Sequence, residues 1–432
     1  GIIFLYFLGF YIFMLSLKID PRISILGALA FGMSSYFFII LEAGHNTKAH
    51  AISYIAPSVA SMIFCFRGQN DNGWKNLAYF SFSFLCLGLH LRANHLQITY
   101  YLLFILFFFW LHYLINAFQL KIIPEFIKKT FIFFVAGLMA IAINLGNIWS
   151  TYEYSDYTIR GESELLNAEG DMQSGLDKDY ATAWSYGKLE TFNMLFPNLL
   201  GGSSHAKLSD KSNVYEALRK NGISKKDSHN FIRSVPTYFG PQSFTSGPVY
   251  VGSIIWLLFV ISLFTLKRRI KWILLSLIIF SIILAWGKYF NLVTDLFLDY
   301  FPLYNKFRTV SMVLVIAQFA IPVLAIIGFH EFIKLNIPTI RKKKIIIYSV
   351  AILMSISVFF ILFKNFLFDF RGVSDLQLPP WFIDALIADR INLFNSDIFR
   401  SIFFITVAAF IIYLMLEKYS HKQALLIYTL SF

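Results

Sequence analysis

The sequence predicts an all-α polytopic membrane protein of about eleven transmembrane helices, with a large loop outside the bilayer. Three observations carry this. Apolar runs long enough to cross a bilayer recur along all 432 residues. Charged residues are 14% of the chain and hydrophobic ones 57%, against about 25% charged in ordinary soluble domains. The runs are continuous rather than alternating, which excludes a transmembrane barrel.

The elements follow in order. An apolar run over 1–17 ends at the basic turn 18–22. The next covers 23–41 and is followed by the polar turn EAGHNTKAH at 42–50. Runs at 51–66 and 77–89 flank a polar loop at 67–76. A hairpin then leads into 96–109, and Lys121, Lys128 and Lys129 precede the run 130–149. Residues 150–246 are rich in Gly, Ser, Asp, Lys and Tyr and read as a structured extramembrane loop. Within it, 207–230 reads as a pair of small amphipathic helices. The chain re-enters with runs at 247–266 and 272–286. An amphipathic, aromatic segment at 287–308 reads as a re-entrant or interfacial helix. Runs at 309–333 and 345–363, a loop at 364–400, a run at 401–416 and a last run from about 424 complete the chain. This gives three regions: membrane helices over 1–149, the extramembrane loop over 150–246, and membrane helices over 247–432. The chain starts at Gly1 within an apolar run and stops within another, so it reads as an internal piece of a longer protein.

The net charge of +12 does not point to nucleic acid here, because much of it sits in short loops. There it reads as topology and contact with anionic membrane lipids. The clusters at 267–271 and 341–344 are therefore expected to be cytoplasmic. Counting from them puts the turn 42–50, the hairpin at 90–94, and residues 150–246, 287–308 and 364–400 on the outer side. Cys65 and Cys86 lie inside apolar runs and suit neither a disulfide framework nor a metal site.

The unusual chemistry gathers on that outer side. LHLRANHLQITYY (89–101) sets His90, Arg92, Asn94, His95 and Gln97 between two apolar runs. Ionisable residues near membrane depth are costly and suggest function. Helices entering from this side are expected to start near Thr47, Asn94, Gly247 and Thr309. A helix start offers unpaired N–H groups and a positive dipole end, which suits phosphate. Lys48, Arg92, His95, Lys306 and Arg308 add positive or donor groups beside three of them. In the turn at 42–48, Glu42 and His45 are candidates for acid–base work. Glu42 is also the candidate ligand for a divalent metal, the one cofactor these residues allow. The spacing of His45, His50, His90 and His95 matches no metal motif. Tyr152, Glu153 and Arg160 open the long loop with alternating aromatics and charges, as sugar recognition uses; an interfacial aromatic belt has the same pattern.

Six stretches occur together and in order: LEAGHNTKAHAISY (41–54), LRANHLQITYY (91–101), TYEYSDYTIRGESEL (151–165), YATAWSYGKLETFNMLFPNLLGG (180–202), FTSGPVYVG (244–252) and FPLYNKFRTVSMVLVIAQ (301–318). With them the chain resembles the YfhO family of bacterial multi-pass membrane proteins over nearly its whole length. The resemblance implies a GT-C-type glycosyltransferase fold in the bacterial plasma membrane. It implies transfer of a sugar from a polyprenyl-phosphate carrier to a cell-envelope polymer on the outer face. Such enzymes usually carry their catalytic carboxylate in the first external loop, which is expected upstream of Gly1. Lys48, Arg92, Asn94, His95, Gln97, Tyr152, Glu153, Arg160, Lys306 and Arg308 are then the expected substrate-binding residues. A transporter or flippase of a lipid-linked or anionic solute is the alternative. It normally shows inverted repeats and midplane polar groups, which are absent here. A non-catalytic envelope assembly factor is the third reading.

Overall fold

The computed structural model describes residues 1–67, 72–166 and 172–418. The chain is mostly helical. It opens with α1 (Ile2–Ser16) and then α2 (Pro21–Gly32) and α3 (Ser35–Glu42), a pair bent by 46°. Asp20 caps α2 by accepting the Arg22 N–H at 3.0 Å, with Pro21 at the first helical position. Next come α4 (Asn46–Ser53), α5 (Ile55–Arg67), α6 (Gly73–Arg92), α7 (Leu96–Leu120), α8 (Ile123–Ile143) and α9 (Leu145–Ser155). Two short antiparallel strands follow, β1 (Glu162–Leu166) and β2 (Met172–Ser174). The small helices α10 (Lys178–Thr182), α11 (Asn213–Lys220) and α12 (Lys225–Phe231) lead to α13 (Ser253–Thr265), α14 (Ile270–Ala285) and α15 (Asn291–Tyr300). The chain ends in α16 (Val315–Lys334), α17 (Thr339–Leu367) and α18 (Pro380–Lys418). Among the described residues, six helices are long and apolar enough to cross a membrane, or up to eight if each bent pair is one span.

Helix α16 is apolar on every face, and such a helix must be covered on every face. It is buried almost throughout, against α2, α7, α13 and α14. Gly328 lets α13 approach: a Cβ there would lie 1.9 Å from the Ser262 Cβ. The outer helices instead expose large apolar side chains, among them Phe131 and Phe134 on α8 and Leu362 on α17. Apolar exposure on that scale suits a lipid-facing surface.

Several expectations change. By length and composition, six to eight spans are marked among the described residues. Residues 364–400 are not a loop: α18 begins at Pro380 and runs for 39 residues. Its first half is held by polar contacts rather than lipid. Asp389 accepts the backbone N–H groups of Asn213 and Val214 at 2.8 and 2.9 Å, and Asp397 accepts that of Asn198 at 2.7 Å. Residues 150–246, read as an extramembrane loop, pack in part onto the helices. Tyr186, Met194, Leu195, Phe196, Leu199 and Leu200 enter the main core, and the Trp256 Nε1 donates to Met194 O at 2.8 Å. The helix expected near Gly247 starts at Ser253, because the preceding backbone bonds elsewhere. Pro248 O accepts the Ser35 hydroxyl at 2.6 Å, and the Val251 N–H donates to Met194 O at 3.2 Å. Other expectations match. α11 and α12 form the small helix pair, and α15 folds back by 112° from α14. The apolar run from about 424 lies outside the described residues.

The turns sort to two ends of the bundle. Arg268 pairs with Glu331 at 3.3 Å, and the Asp20 N–H approaches His330 Nε2 at 3.4 Å. Arg67 donates to Ser16 O at 2.9 Å, and Arg269 to Asn116 Oδ1 at 3.1 Å. The basic turns at 18–22, 267–271 and 334–342 thus share one end. The polar turns described next share the other.

Candidate functional site

At this second end, α3, the turn after it, α4 and the segments 184–193, 238–249 and 309–312 enclose a cavity of about 160 Å³. Its cationic side comes from the sequence-predicted residues. The first turn of α4 places Lys48 at the wall, 9% exposed, with its ammonium 5.9 Å from the Tyr36 ring centre. No acidic partner of Lys48 occurs among the described residues. A buried cation without a counter-ion is costly unless something anionic joins it. His45 occupies the N-cap position of α4 without a side-chain capping bond and lines the same cavity. Burial, then Lys48 and Arg308, hold its imidazole below the ordinary range. His95, the cap of α7, accepts the Ile98 N–H on Nδ1 at 3.3 Å. Burial first, then Lys48, push it down to about 4, with His45 adding to the effect. Both imidazoles are therefore neutral at pH 7, and Lys48 and Arg308 carry the positive charge.

The remaining predicted residues surround this cluster. Gln97 donates to Arg308 O at 2.7 Å and to the Tyr101 hydroxyl at 2.9 Å. Arg308 donates to the Tyr180 hydroxyl at 2.7 Å. Arg160 donates to Lys306 O at 3.0 Å, and the Lys306 ammonium returns a bond to Arg160 O. Asn94 donates to Thr151 Oγ1 at 3.3 Å. Of the polar stretches at 42–48, 90–97 and 152–160, only the first lines the cavity; the other two reach Arg308 and Lys306 through Gln97 and Arg160. Arg92, Glu42, Tyr152 and Glu153 stand apart, all exposed. Arg92 makes no side-chain hydrogen bond or ion pair among the described residues, and nothing joins it to the cluster. The Tyr152 ring meets that of Trp149, with ring centres 6.4 Å apart. Among the described residues no group of three or more His, Cys, Asp or Glu could hold a metal, so Glu42 and the histidines form no such set.

The opposite wall holds what the sequence did not single out. Glu190, on the helical turn Leu189–Met194, is 1% exposed. Its carboxylate accepts the Gly187 N–H at 3.0 Å, the Tyr238 hydroxyl at 2.8 Å and the Gln242 amide at 2.8 Å. Burial raises its pKa to about 7 against those three bonds, which favour the anion. Tyr186 and Asn193, each 2% exposed, line the same cavity. Glu190 also lies at the edge of a second, open cleft of about 790 Å³ between 187–190, 239–241 and 365–373. It therefore lines both cavities. A carboxylate that titrates near neutrality, facing an uncompensated lysine, can take a proton while an anion forms across the cavity.

Fold and site together describe a bundle of helices, several long and apolar enough to cross a membrane, with a cavity at one end that Lys48 and Glu190 line. Comparison with protein-family models, with curated proteins and with solved structures finds no match.

Proposed function

We propose that the chain is a membrane glycosyltransferase of the GT-C type. It moves a sugar from a polyprenyl-phosphate carrier to a cell-envelope acceptor on the outer face of the bacterial plasma membrane. The observation that carries this reading is that Glu190 and Lys48 line one cavity. The acceptor hydroxyl oxygen bonds to the anomeric carbon, and the bond from that carbon to the phosphate oxygen breaks. Glu190 takes the hydroxyl proton, and the departing phosphate keeps the electron pair. Lys48, with Arg308 and the neutral His95 and His45 behind it, stabilises the charge that develops. The resemblance places a principal carboxylate upstream of Gly1; Glu190 is the carboxylate this chain itself supplies. The reading includes about eleven spans. The six long helices, both bent pairs, the two shorter apolar helices α1 and α13, and α6 would together make that number.

The test uses the full-length protein in liposomes with a radiolabelled polyprenyl-phosphate sugar and envelope acceptor. Glu190→Gln and Lys48→Met should each lower transfer by about 10²-fold or more. Undiminished transfer by a folded Glu190→Gln protein would remove Glu190 from the reaction. Solute flux across the liposome without transfer would favour the transporter reading.

A further inference from the structure

Glu190 is held by a clamp that begins on a distant element. Its Oε1 accepts the Tyr238 hydroxyl proton at 2.8 Å. The Tyr238 oxygen in turn accepts the backbone N–H of Gln242 at 3.1 Å, so its own proton is aimed at the carboxylate. Tyr238 sits in an irregular loop that Arg390, on the first half of α18, fixes in place. Arg390 is 0% exposed. Its Nε donates to Thr237 O at 2.9 Å and its Nη1 to Phe370 O at 2.8 Å. Its Nη2 donates to Pro236 O at 2.8 Å and to Tyr238 O at 3.4 Å. Asp375 balances the charge with both carboxylate oxygens, one of them 2.9 Å from Nη2. A buried ion pair gains little stability over apolar residues of the same size, because desolvation offsets the attraction. This guanidinium, however, directs its planar fork at four carbonyls as well as the acid, three of them in the loop that carries Tyr238.

We propose that Tyr238 is a positioning residue that sets when Glu190 holds its proton, and that Arg390 with Asp375 keeps Tyr238 in register to do so. The other titratable groups around Glu190 are Tyr186 and Tyr289, His45 and Lys48 across the cavity, and Lys188, Asp369 and Arg371 along the cleft. None of them hydrogen-bonds the carboxylate; Gly187, Tyr238 and Gln242 do. A donated hydrogen bond favours the carboxylate anion, so removing the tyrosine proton leaves burial less opposed.

The measurement is an infrared pH titration of the protonated carboxyl band in the intact chain, with Glu190→Gln assigning the band. Tyr238→Phe should move the midpoint up by about one pH unit, and Arg390→Lys should move it the same way. A folded Tyr238→Phe protein whose midpoint stays at the parent value overturns the proposal. Arg390→Lys with a lowered melting temperature and an unmoved midpoint overturns the role of the clamp. Should Arg390→Lys not fold, Tyr238→Phe still decides. The proposal rests on Glu190 as the titrating group of the site. The titration needs no turnover, so it can fail while transfer stays Glu190-dependent, and transfer can prove Glu190-independent while the midpoint still moves.

Discussion

Lys48 and Glu190 show how single residues can set stability against function. Lys48 is nearly buried and has no acidic partner among the described residues, so it carries a desolvation cost. Lys48→Met keeps the length of the side chain and removes the charge. It should raise the melting temperature while abolishing anion binding, the usual exchange at a strained site. A lower melting temperature would mean that an unseen partner already satisfies the lysine. Glu190 gives a pH signature. Its pKa rises from 4.5 to about 7 on folding, so the folded chain binds this proton more tightly than the unfolded one. The associated stability is complete below 4.5 and is lost as the pH climbs through about 7; at about 1.4 kcal/mol per unit it amounts to about 3 kcal/mol. Glu190→Gln should flatten this part of the melting curve between pH 4.5 and 7. Activity should run the other way, rising through pH 7 as the base is freed. Arg92 is the contrast. The sequence marks it because it interrupts an apolar stretch, yet its side chain is exposed and has no partner among the described residues. Arg92→Ala should change stability by no more than about 0.5 kcal/mol in a thermal melt.

Among the elements, α18 was the least legible from sequence, and the reason is physical. Asp384, Asp389, Arg390, Asp397 and Arg400 break its apolar run, so residues 364–400 look like a solvated loop. The helix persists because Asp389, Arg390 and Asp397 find partners in the segment 198–240. At 1.5 Å per residue its 39 residues extend about 58 Å, well beyond a hydrocarbon core of about 30 Å. The surplus is a post against which α11 packs, with Val214, Leu218, Phe382 and Leu386 in one small core. Asp389 caps α11 from outside, a role no local motif can announce. Asp389→Ala should therefore cost about 1–2 kcal/mol and expose residues 213–231 to protease before the rest of the chain. Equal resistance in parent and variant would show that the apolar contacts alone hold α11. Glu190 escaped notice for a related reason. It is a lone acid in the stretch KLETFNMLF, and only folding brings Tyr238 and Gln242 to it. The basic half of the site was legible because His45 and Lys48 lie three residues apart in one conspicuous turn.

For the whole molecule, the separation of charge between its two ends predicts the orientation. Lys267, Arg268 and Arg269 lie in the turn between α13 and α14, Lys271 in the first turn of α14, and Arg341 to Lys344 in the first turns of α17. The contacts of Arg268 with Glu331 and of Lys342 with Ile333 O hold both clusters at one end. Short loops rich in Lys and Arg stay on the cytoplasmic side. On that rule the cavity, at the opposite end, is predicted to open outside the cell, as the proposed transfer requires. The two native cysteines are both buried, so an added one can be read against a low background. Lys211 and Lys267 are exposed at the two ends, and replacing either disturbs no buried contact. In intact bacteria, Lys211→Cys should react with a membrane-impermeant thiol reagent. Lys267→Cys should react only after lysis. The reverse pattern would put the cavity in the cytoplasm and end the proposal of transfer on the outer face. Labelling of both in intact cells would show instead that the chain does not cross the membrane as these helices suggest.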